Sequence, residues 1–267
     1  MRRDAGGTRL ALRTIVVALL GLVVLSGCQT TGSSRSRSKN SGGGDSAAAV
    51  NVSLGQSYMR QGKFEIAKEK LDKALELDPK LTDAHTVIAV LYEQIGDPES
   101  AARHYKRASE LAPKSGVVNN NYGTFLCKLG RYEEADRYYA RALQDPFYET
   151  PSVALTNRGT CALKWQKPEL AEQSFRNALS LKPDEPEALR SLAEILYGKG
   201  EYFRARAFVQ RHDAGGRAGP EALVLAVRIE EALGDKRAAR DYKDRLLRDF
   251  PESEQAQGLR TESEAKR

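Results

Sequence analysis

The stretch from residue 119 to residue 143 reads NNNYGTFLCKLGRYEEADRYYARAL and predicts two short amphipathic helices separated by a turn at Gly130. In the second helix, Ala135, Tyr139 and Ala142 recur at i, i+4 and i+7, which places them on one face. Gly123 in the first helix is a small residue of the kind that lets two helices touch. The stretch therefore predicts a helix hairpin that packs through small and aromatic residues.

The same residue types recur along the chain at intervals of 34 residues. Small residues equivalent to Gly123 stand at Ala89 and Gly55, and the turn glycine recurs, as at Gly96. One interval is 36 residues, so two extra residues lie in the segment PFYETP, 146–151. Copies in register at this period resemble the tetratricopeptide repeat family. The predicted repeats are 48–81, 82–115, 116–149, 152–185, 186–219 and 220–253.

This resemblance implies an all-α fold, a right-handed superhelix of six helix pairs with a concave face. A single helix pair buries too little apolar surface to be stable alone, whereas stacked pairs build a continuous core. In the fifth repeat, Gly215 and Gly216 indicate a loop, so its second helix is predicted to end near Arg211. The charged tail, 254–267, is poor in apolar residues, and we expect a frayed cap or a disordered segment.

The N-terminal region differs from the repeats. Residues 1–27 contain four arginines ahead of an apolar run of eleven residues, 15–25. A membrane-spanning helix needs about twenty apolar residues, so this run is typical of a signal peptide. The run ends in LSGC, which resembles the bacterial lipobox and implies cleavage before Cys28 and lipidation of Cys28. An ordinary secretory signal with a chance cysteine is the alternative.

The residue after the lipobox cysteine bears on localisation. Aspartate at that position retains a bacterial lipoprotein in the inner membrane, and here the residue is Gln29. The resemblance therefore implies a protein anchored by lipid in the outer membrane, on its periplasmic face. Residues 28–47 are rich in serine and glycine and cannot bury enough apolar surface to fold, so we expect a flexible lipidated tether.

Charge and motifs argue against an enzyme or a nucleic-acid-binding protein. The chain carries a formal net charge of +6, of which residues 1–27 contribute half, too little to imply nucleic-acid binding. His85, His104 and His212 are scattered, and none is spaced like a metal ligand. The sequence lacks the motifs of nucleotide-binding proteins, zinc-dependent hydrolases and serine acyl-transfer enzymes. We therefore predict no catalytic residue, metal, cofactor or small-molecule substrate.

Two cysteines remain after Cys28. Cys127 and Cys161 lie in the first helices of repeats three and four, which should pack side by side. A signal peptide leads to the oxidising periplasm, where disulfides form. We predict a disulfide between these residues, and the alternative is two small buried hydrophobic side chains.

Three segments resemble the type IV pilus biogenesis and stability lipoprotein family. They are 120–127 (NNYGTFLC), 145–151 (DPFYETP) and 157–162 (NRGTCA), and the likeness covers nearly the whole chain, lipobox included. The resemblance implies a six-repeat pilotin, a non-enzymatic lipoprotein whose partner is a secretin subunit and which supports secretin localisation and multimerisation. The alternative is an envelope scaffold of the same architecture that serves cell-wall or outer-membrane assembly with another client.

The client is predicted to bind along the concave groove of repeats one to three. Positions two, five, nine and twelve of each first helix should line this groove, where they mix apolar and uncharged hydrogen-bonding side chains. In repeats five and six these positions include Arg190, Glu194, Arg228 and Glu231, which we interpret as solvated. The predicted groove residues are Val52, Gln56, Met59, Thr86, Val90, Asn120 and Thr124.

Overall fold

The structure is a computed structural model that describes residues 46–265, except 215 and 217. The predictions for the signal peptide, Cys28 and most of the tether lie outside the described residues. Within the described part the secondary structure is entirely helical. The helices are α1 (Ala47–Arg60), α2 (Phe64–Leu77), α3 (Thr82–Gln94), α4 (Pro98–Leu111), α5 (Gly116–Lys128), α6 (Tyr132–Ala142), α7 (Pro151–Lys164), α8 (Pro168–Leu181), α9 (Pro186–Gly198), α10 (Tyr202–His212), α11 (Pro220–Ala232), α12 (Lys236–Asp249) and α13 (Glu254–Ala265).

Helices α1 to α12 form six consecutive pairs, each packed within itself and against the next pair. The all-α tetratricopeptide prediction is therefore confirmed. The first helices of the pairs begin at residues 47, 82, 116, 151, 186 and 220. Each start lies within one residue of the repeat start expected from the sequence. First helices also pack side by side, at α1–α3, α5–α7, α7–α9 and α9–α11.

The turn inside each pair uses a residue with positive φ. Glycine fills this position in five pairs, with φ between 71° and 78°. Glycine adopts this left-handed conformation without the steric cost that a Cβ atom imposes. The fourth pair is different, because Gln166 occupies the turn with φ of 58°. The five turn glycines are Gly62, Gly96, Gly130, Gly200 and Gly234.

In the first, third and fourth pairs, a glycine in the first helix faces a large side chain in the second. In the fourth pair, a Cβ atom added at Gly159 would lie 2.7 Å from Cε1 of Phe175. Phe175 is fully buried between Ala171 and Ala178, which are themselves fully buried. The glycine therefore lets α7 and α8 approach closely enough to enclose the aromatic ring.

Replacing Gly159 with alanine is expected to destabilise the protein by about 1–3 kcal/mol, because the enclosed Phe175 ring cannot move away from the new methyl group. The matched control is Gly198→Ala, since nothing lies within 4 Å of a Cβ atom built at Gly198 in α9. That control should be neutral or slightly stabilising, because alanine favours helix. Thermal unfolding of both variants makes the comparison, and equal melting temperatures would contradict this account of the core.

The two extra residues of the 36-residue interval form a loop with its own anchors. The backbone N–H groups of Gly116 and Phe147 both donate to the carboxylate of Asp145, at 2.7 and 3.0 Å. Tyr148 is buried and packs directly against Gly116, leaving no room for a Cβ atom there. The insertion is therefore tied to the start of α5, and Phe147 stays exposed to solvent.

The fifth pair has a short second helix, as expected, with α10 ending at His212. Asp213 then anchors the following loop, because it accepts from the Ala218 N–H at 3.1 Å and pairs with Arg245 at 2.6 Å. These contacts link Asp213 to Ala218 and to Arg245 on α12 although the helix stops early.

The expectation of a disordered tail is wrong for Glu254–Ala265, which form helix α13. The Ser253 side chain accepts from the N–H of Ala256 at 3.2 Å and caps α13. Ala256 is fully buried against the last helix pair in a cluster that includes Leu223 and Leu246. The terminal pair of a repeat array would otherwise expose this apolar face, so α13 covers it. Among the described residues, no helix combines the length and the apolar character that crossing a bilayer would require.

Candidate functional site

A cleft of about 680 Å³ opens between the first helices of the first two pairs. Its base is apolar, since Val52 and Val87 are buried there. Arg60 and Asp83 contribute the charged groups among its lining residues. Five predicted groove residues line this cleft: Val52, Gln56, Met59, Thr86 and Val90.

A second cleft of about 580 Å³ continues toward the fourth pair. It shares Val90, Gln94 and Asn121 with the first cleft and adds the other two predicted residues, Asn120 and Thr124. The structure thus brings all seven predicted residues to one continuous surface on α1, α3 and α5. We call the two clefts together the client groove.

The polar side chains in the client groove are partly engaged within the protein. The hydroxyls of Thr86 and Thr124 donate to carbonyls of their own helices at 3.0 and 2.9 Å. The Oδ1 atom of Asn120 accepts from Asn157 Nδ2 at 3.0 Å. Thr86 therefore offers a client its oxygen as an acceptor and no spare proton, and the Thr124 oxygen already accepts from the phenol of Tyr139 at 3.2 Å. Gln56, Gln94 and Asn121 are the further amides that line the groove.

Glu93 is an acidic group in the second cleft, and its charge is balanced locally. It forms an ion pair with Lys128 at 2.8 Å and accepts a hydrogen bond from the phenol of Tyr105. Burial, and then the contact with Glu93, raise the pKa of that phenol, so it stays a donor at any physiological pH. The Glu93–Lys128 pair also joins α3 to α5 across the cleft.

Positions six and thirteen of the first helices were missed by the sequence prediction. Position six lies four residues after position two, and position thirteen lies four residues after position nine, so each is one helical turn from a predicted position and shares its surface. The signal was available, because a client that lies across several helices contacts a strip wider than four positions. The missed residues that line the first cleft are Ser53, Arg60, Val87, Gln94 and Asn121.

The corresponding surface at the other end of the array is charged and internally paired. Arg190 bonds with Glu187 at 2.7 Å and with Glu194 at 3.3 Å, and Glu231 pairs with Lys243 at 2.6 Å. This surface differs from the first cleft in its higher share of charged side chains, with Arg190, Glu194, Glu221 and Arg228 among its lining residues.

Comparison with known proteins decides the family. Tetratricopeptide repeat profiles match residues 52–116 and 156–222, and a second such profile matches residues 120–145. The type IV pilus assembly protein PilF of Pseudomonas aeruginosa is 34% identical over 253 residues, which cover 95% of this chain and all of PilF. The chain belongs to the PilF family of tetratricopeptide repeat proteins.

Solved structures agree with this assignment. The crystal structure of PilW, described as a widely conserved type IV pilus biogenesis factor, superposes with a TM-score of 0.73 at 31% identity. It covers 81% of this chain and 99% of PilW. The structure of Pseudomonas aeruginosa PilF gives the same TM-score at 33% identity, covering 81% of this chain and 97% of that structure. The protein is thus a relative of PilF and PilW along most of its length.

In this PilF-family chain, Cys127 on α5 and Cys161 on α7 are joined, with Sγ atoms 2.20 Å apart and Cα atoms 5.8 Å apart. Cα separations of 4.4–6.8 Å are usual for disulfides. Both residues are buried next to the aromatic cluster of the third pair. Arg158 adds a second link from α7, because its guanidinium bonds with both carboxylate oxygens of Asp136 on α6, at 2.6 and 3.2 Å.

The histidines are less scattered than their sequence positions indicate. His85 on α3 and His104 on α4 lie with their Nδ1 atoms 3.0 Å apart. In the part of the chain that the structure describes, however, no three His, Cys, Asp or Glu side chains come together as a metal-binding group. The pair could not be predicted from the sequence, because its members are 19 residues apart and belong to no ligand motif.

Proposed function

We propose that this PilF-family protein is a non-enzymatic outer-membrane lipoprotein that binds secretin subunits and supports their localisation and multimerisation in type IV pilus biogenesis. The observation that carries the proposal is the client groove, a continuous surface with an apolar base and uncharged amides at one end of the array. The relatives support the process, since PilF is named a pilus assembly protein and PilW a pilus biogenesis factor.

The groove chemistry suits a protein segment. Val52, Val87 and Val90 offer apolar contacts for side chains of a bound segment. Gln56, Gln94 and Asn121 offer amides, which both donate and accept hydrogen bonds and so match a peptide backbone. Apolar anchors with uncharged polar groups beside them are characteristic of grooves that receive an extended or helical segment. No step of this proposal requires bond making or breaking by the protein.

A crosslinked pull-down from cell envelopes tests the proposed function. The full-length lipoprotein is the bait, and the abundance of each crosslinked protein is measured with and without crosslinker. We expect a secretin subunit to be the principal partner. A different principal partner, such as an enzyme of cell-wall assembly, would replace this proposal with a general envelope scaffold.

Replacement of Cys28 by serine is expected to leave the protein uncleaved by the lipoprotein signal peptidase and to remove it from the outer membrane. The reason is that acyl chains on the cysteine supply the membrane affinity, at about 0.8 kcal/mol for each buried CH₂ group. Fractionation of envelopes measures the change. Ser26→Ala is a matched control, because it keeps a small residue before the cysteine and should fractionate normally. Normal outer-membrane recovery of the Cys28→Ser protein would contradict lipidation.

A further inference from the structure

The histidine pair of the second helix pair has a defined hydrogen-bond arrangement. Nε2 of His85 lies 3.2 Å from the carbonyl oxygen of Pro79, which can only accept. His85 therefore carries its proton on Nε2, and its Nδ1 atom is an acceptor. The Nδ1 atom of His104, 3.0 Å away, must then donate. The chain of contacts runs from His104 through His85 to the α2–α3 turn.

Few groups around the pair would stabilise a protonated histidine. From α2, Lys68 and Asp72 face His104, and their own ion pair at 2.6 Å already neutralises the carboxylate. From α3, the ring of Tyr92 stacks on His104 with centroids 5.6 Å apart. From α4, Arg103 acts on His104 and Arg107 on His85.

Burial, and then the neighbouring His85 and Arg103, lower the pKa of His104 to about 4. Burial, and then Arg107, lower the pKa of His85, whereas the hydrogen bond that His85 donates to the Pro79 carbonyl opposes this shift. Both histidines are therefore neutral at pH 7.

We propose that the His85–His104 pair is an acid-sensitive latch that holds the Pro79–Leu81 turn and helix α3 in the position that forms the client groove. A first proton can enter at Nε2 of His104 and leave the bond between the Nδ1 atoms intact. A second proton, on Nδ1 of His85, removes the acceptor of this hydrogen bond, so two N–H groups then face and repel each other. The rings must then separate, and the contact with Pro79 is strained with them.

Breaking the bond between the two histidines would affect the client groove because the residues that it holds are close in sequence to residues that line the groove. Leu81, two residues after Pro79, lines the first cleft, and α3 supplies Thr86 and Val90 to it. Loosening the latch therefore loosens one wall of the groove. The effect on a client rests on the proposed function, whereas the effect on α3 does not.

The sign of the effect follows from proton linkage. A histidine in the unfolded chain titrates near pH 6.5, so between this pH and about 4 the unfolded chain binds more protons than the folded one. The folded state is favoured by the neutral pair above pH 6.5, and this advantage is lost as the pH falls through the window. The second helix pair should therefore loosen on acidification.

Hydrogen–deuterium exchange of the mature protein at pH 7.0 and pH 4.5, corrected for intrinsic rates, tests the latch. We expect protection in α3 and α4 to fall at least tenfold at pH 4.5 relative to α8, which contains no histidine. The His85→Asn/His104→Asn double variant keeps one acceptor and one donor at the two Nδ1 positions and titrates at neither, so its protection should change equally in all three helices. His212→Asn is the matched control and should keep the wild-type difference.

Equal wild-type protection at both pH values, or the same loss in the double variant, would overturn the latch. If the double variant does not fold, NMR titration of the wild-type histidines replaces it. The proposal requires both His85 and His104 to titrate below pH 6. An ordinary histidine pKa for either residue would contradict it. A purified periplasmic fragment of the secretin should bind the wild type at least fivefold more weakly at pH 5 than at pH 7. Failure of that fragment to bind at either pH would contradict the proposed function. The hydrogen–deuterium exchange result would then still test the latch by itself.

Discussion

A protein that carries both Val52→Glu and Val90→Glu is expected to lose secretin multimers in cells and to bind secretin at least a hundredfold more weakly, about 2.7 kcal/mol. Both valines line the first cleft, and Val90 also lines the second. A carboxylate in an apolar cleft must either keep its water and exclude the client or lose that water at a large cost. A few residues at the centre of an interface usually dominate its binding energy.

The structure adds a requirement to this experiment. Val52 is only 6% exposed and packs in the core cluster that includes Leu71 and Ile88, so glutamate there also costs stability. Gln56→Glu with Val90→Glu is a second variant, which introduces the same charges without replacing a core residue. Circular dichroism should show normal helicity for this second variant, and immunoblots of unboiled envelopes should still show the loss of multimers.

The matched control lies at the other end of the array. Arg190→Glu with Arg228→Glu changes charges on the equivalent surface of pairs five and six, where Arg190 pairs with Glu187 and Glu194. We expect normal multimers from this control. Normal multimers from both groove variants, together with loss in the control, would mean that the client binds the opposite end.

Removing the disulfide by Cys127→Ala with Cys161→Ala is expected to destabilise the protein by about 3–4 kcal/mol on the chain-entropy account of a crosslink. The two cysteines are 34 residues apart in sequence, and their bond ties α5 to α7 across the longest interval between pairs. Alanine is the better replacement, because both sites are buried and a serine hydroxyl would need a partner. For a protein of this size, the loss corresponds to a melting temperature lower by about 6–16 °C.

Scanning calorimetry of the wild type and the double alanine variant measures this change, and mass analysis of alkylated, non-reduced protein verifies the starting state. Reducing agent provides the internal control, since it should lower the melting temperature of the wild type and leave the variant unaffected. Two alkylated thiols in protein isolated from cells without reducing agent would show that the bond is not part of the native protein.

The helix pairs were predictable because each depends on local rules that repeat. Gly130 marks a turn that needs positive φ, and Gly123 and Gly159 mark close helix contacts, so small residues at fixed spacing indicate both the turns and the helix packing. The groove followed from the same register, since one face of every first helix points the same way. Its width did not follow, because positions six and thirteen become part of the surface only when neighbouring helices are set side by side.

Other features depend on packing between distant residues and left a weak trace in the sequence. Helix α13 forms because Ser253 caps it and Ala256 fits against Leu223 and Leu246, although the segment is mostly charged. The charged composition suggested disorder, but the segment folds because it covers the apolar face at the end of the repeat array. Likewise, His85 and His104 meet only because of the way α3 and α4 pack within their pair.

The measurement that tests the central claim most directly is site-specific photo-crosslinking in cells that assemble pili. A photoreactive amino acid is placed at Gln56, in the client groove, or at Arg228, at the other end of the array. In both cases the full-length protein is otherwise unchanged. The account predicts a strong crosslink to the secretin from position 56, abolished by Val90→Glu, and none from position 228. A secretin crosslink from position 228 with none from position 56 would contradict it.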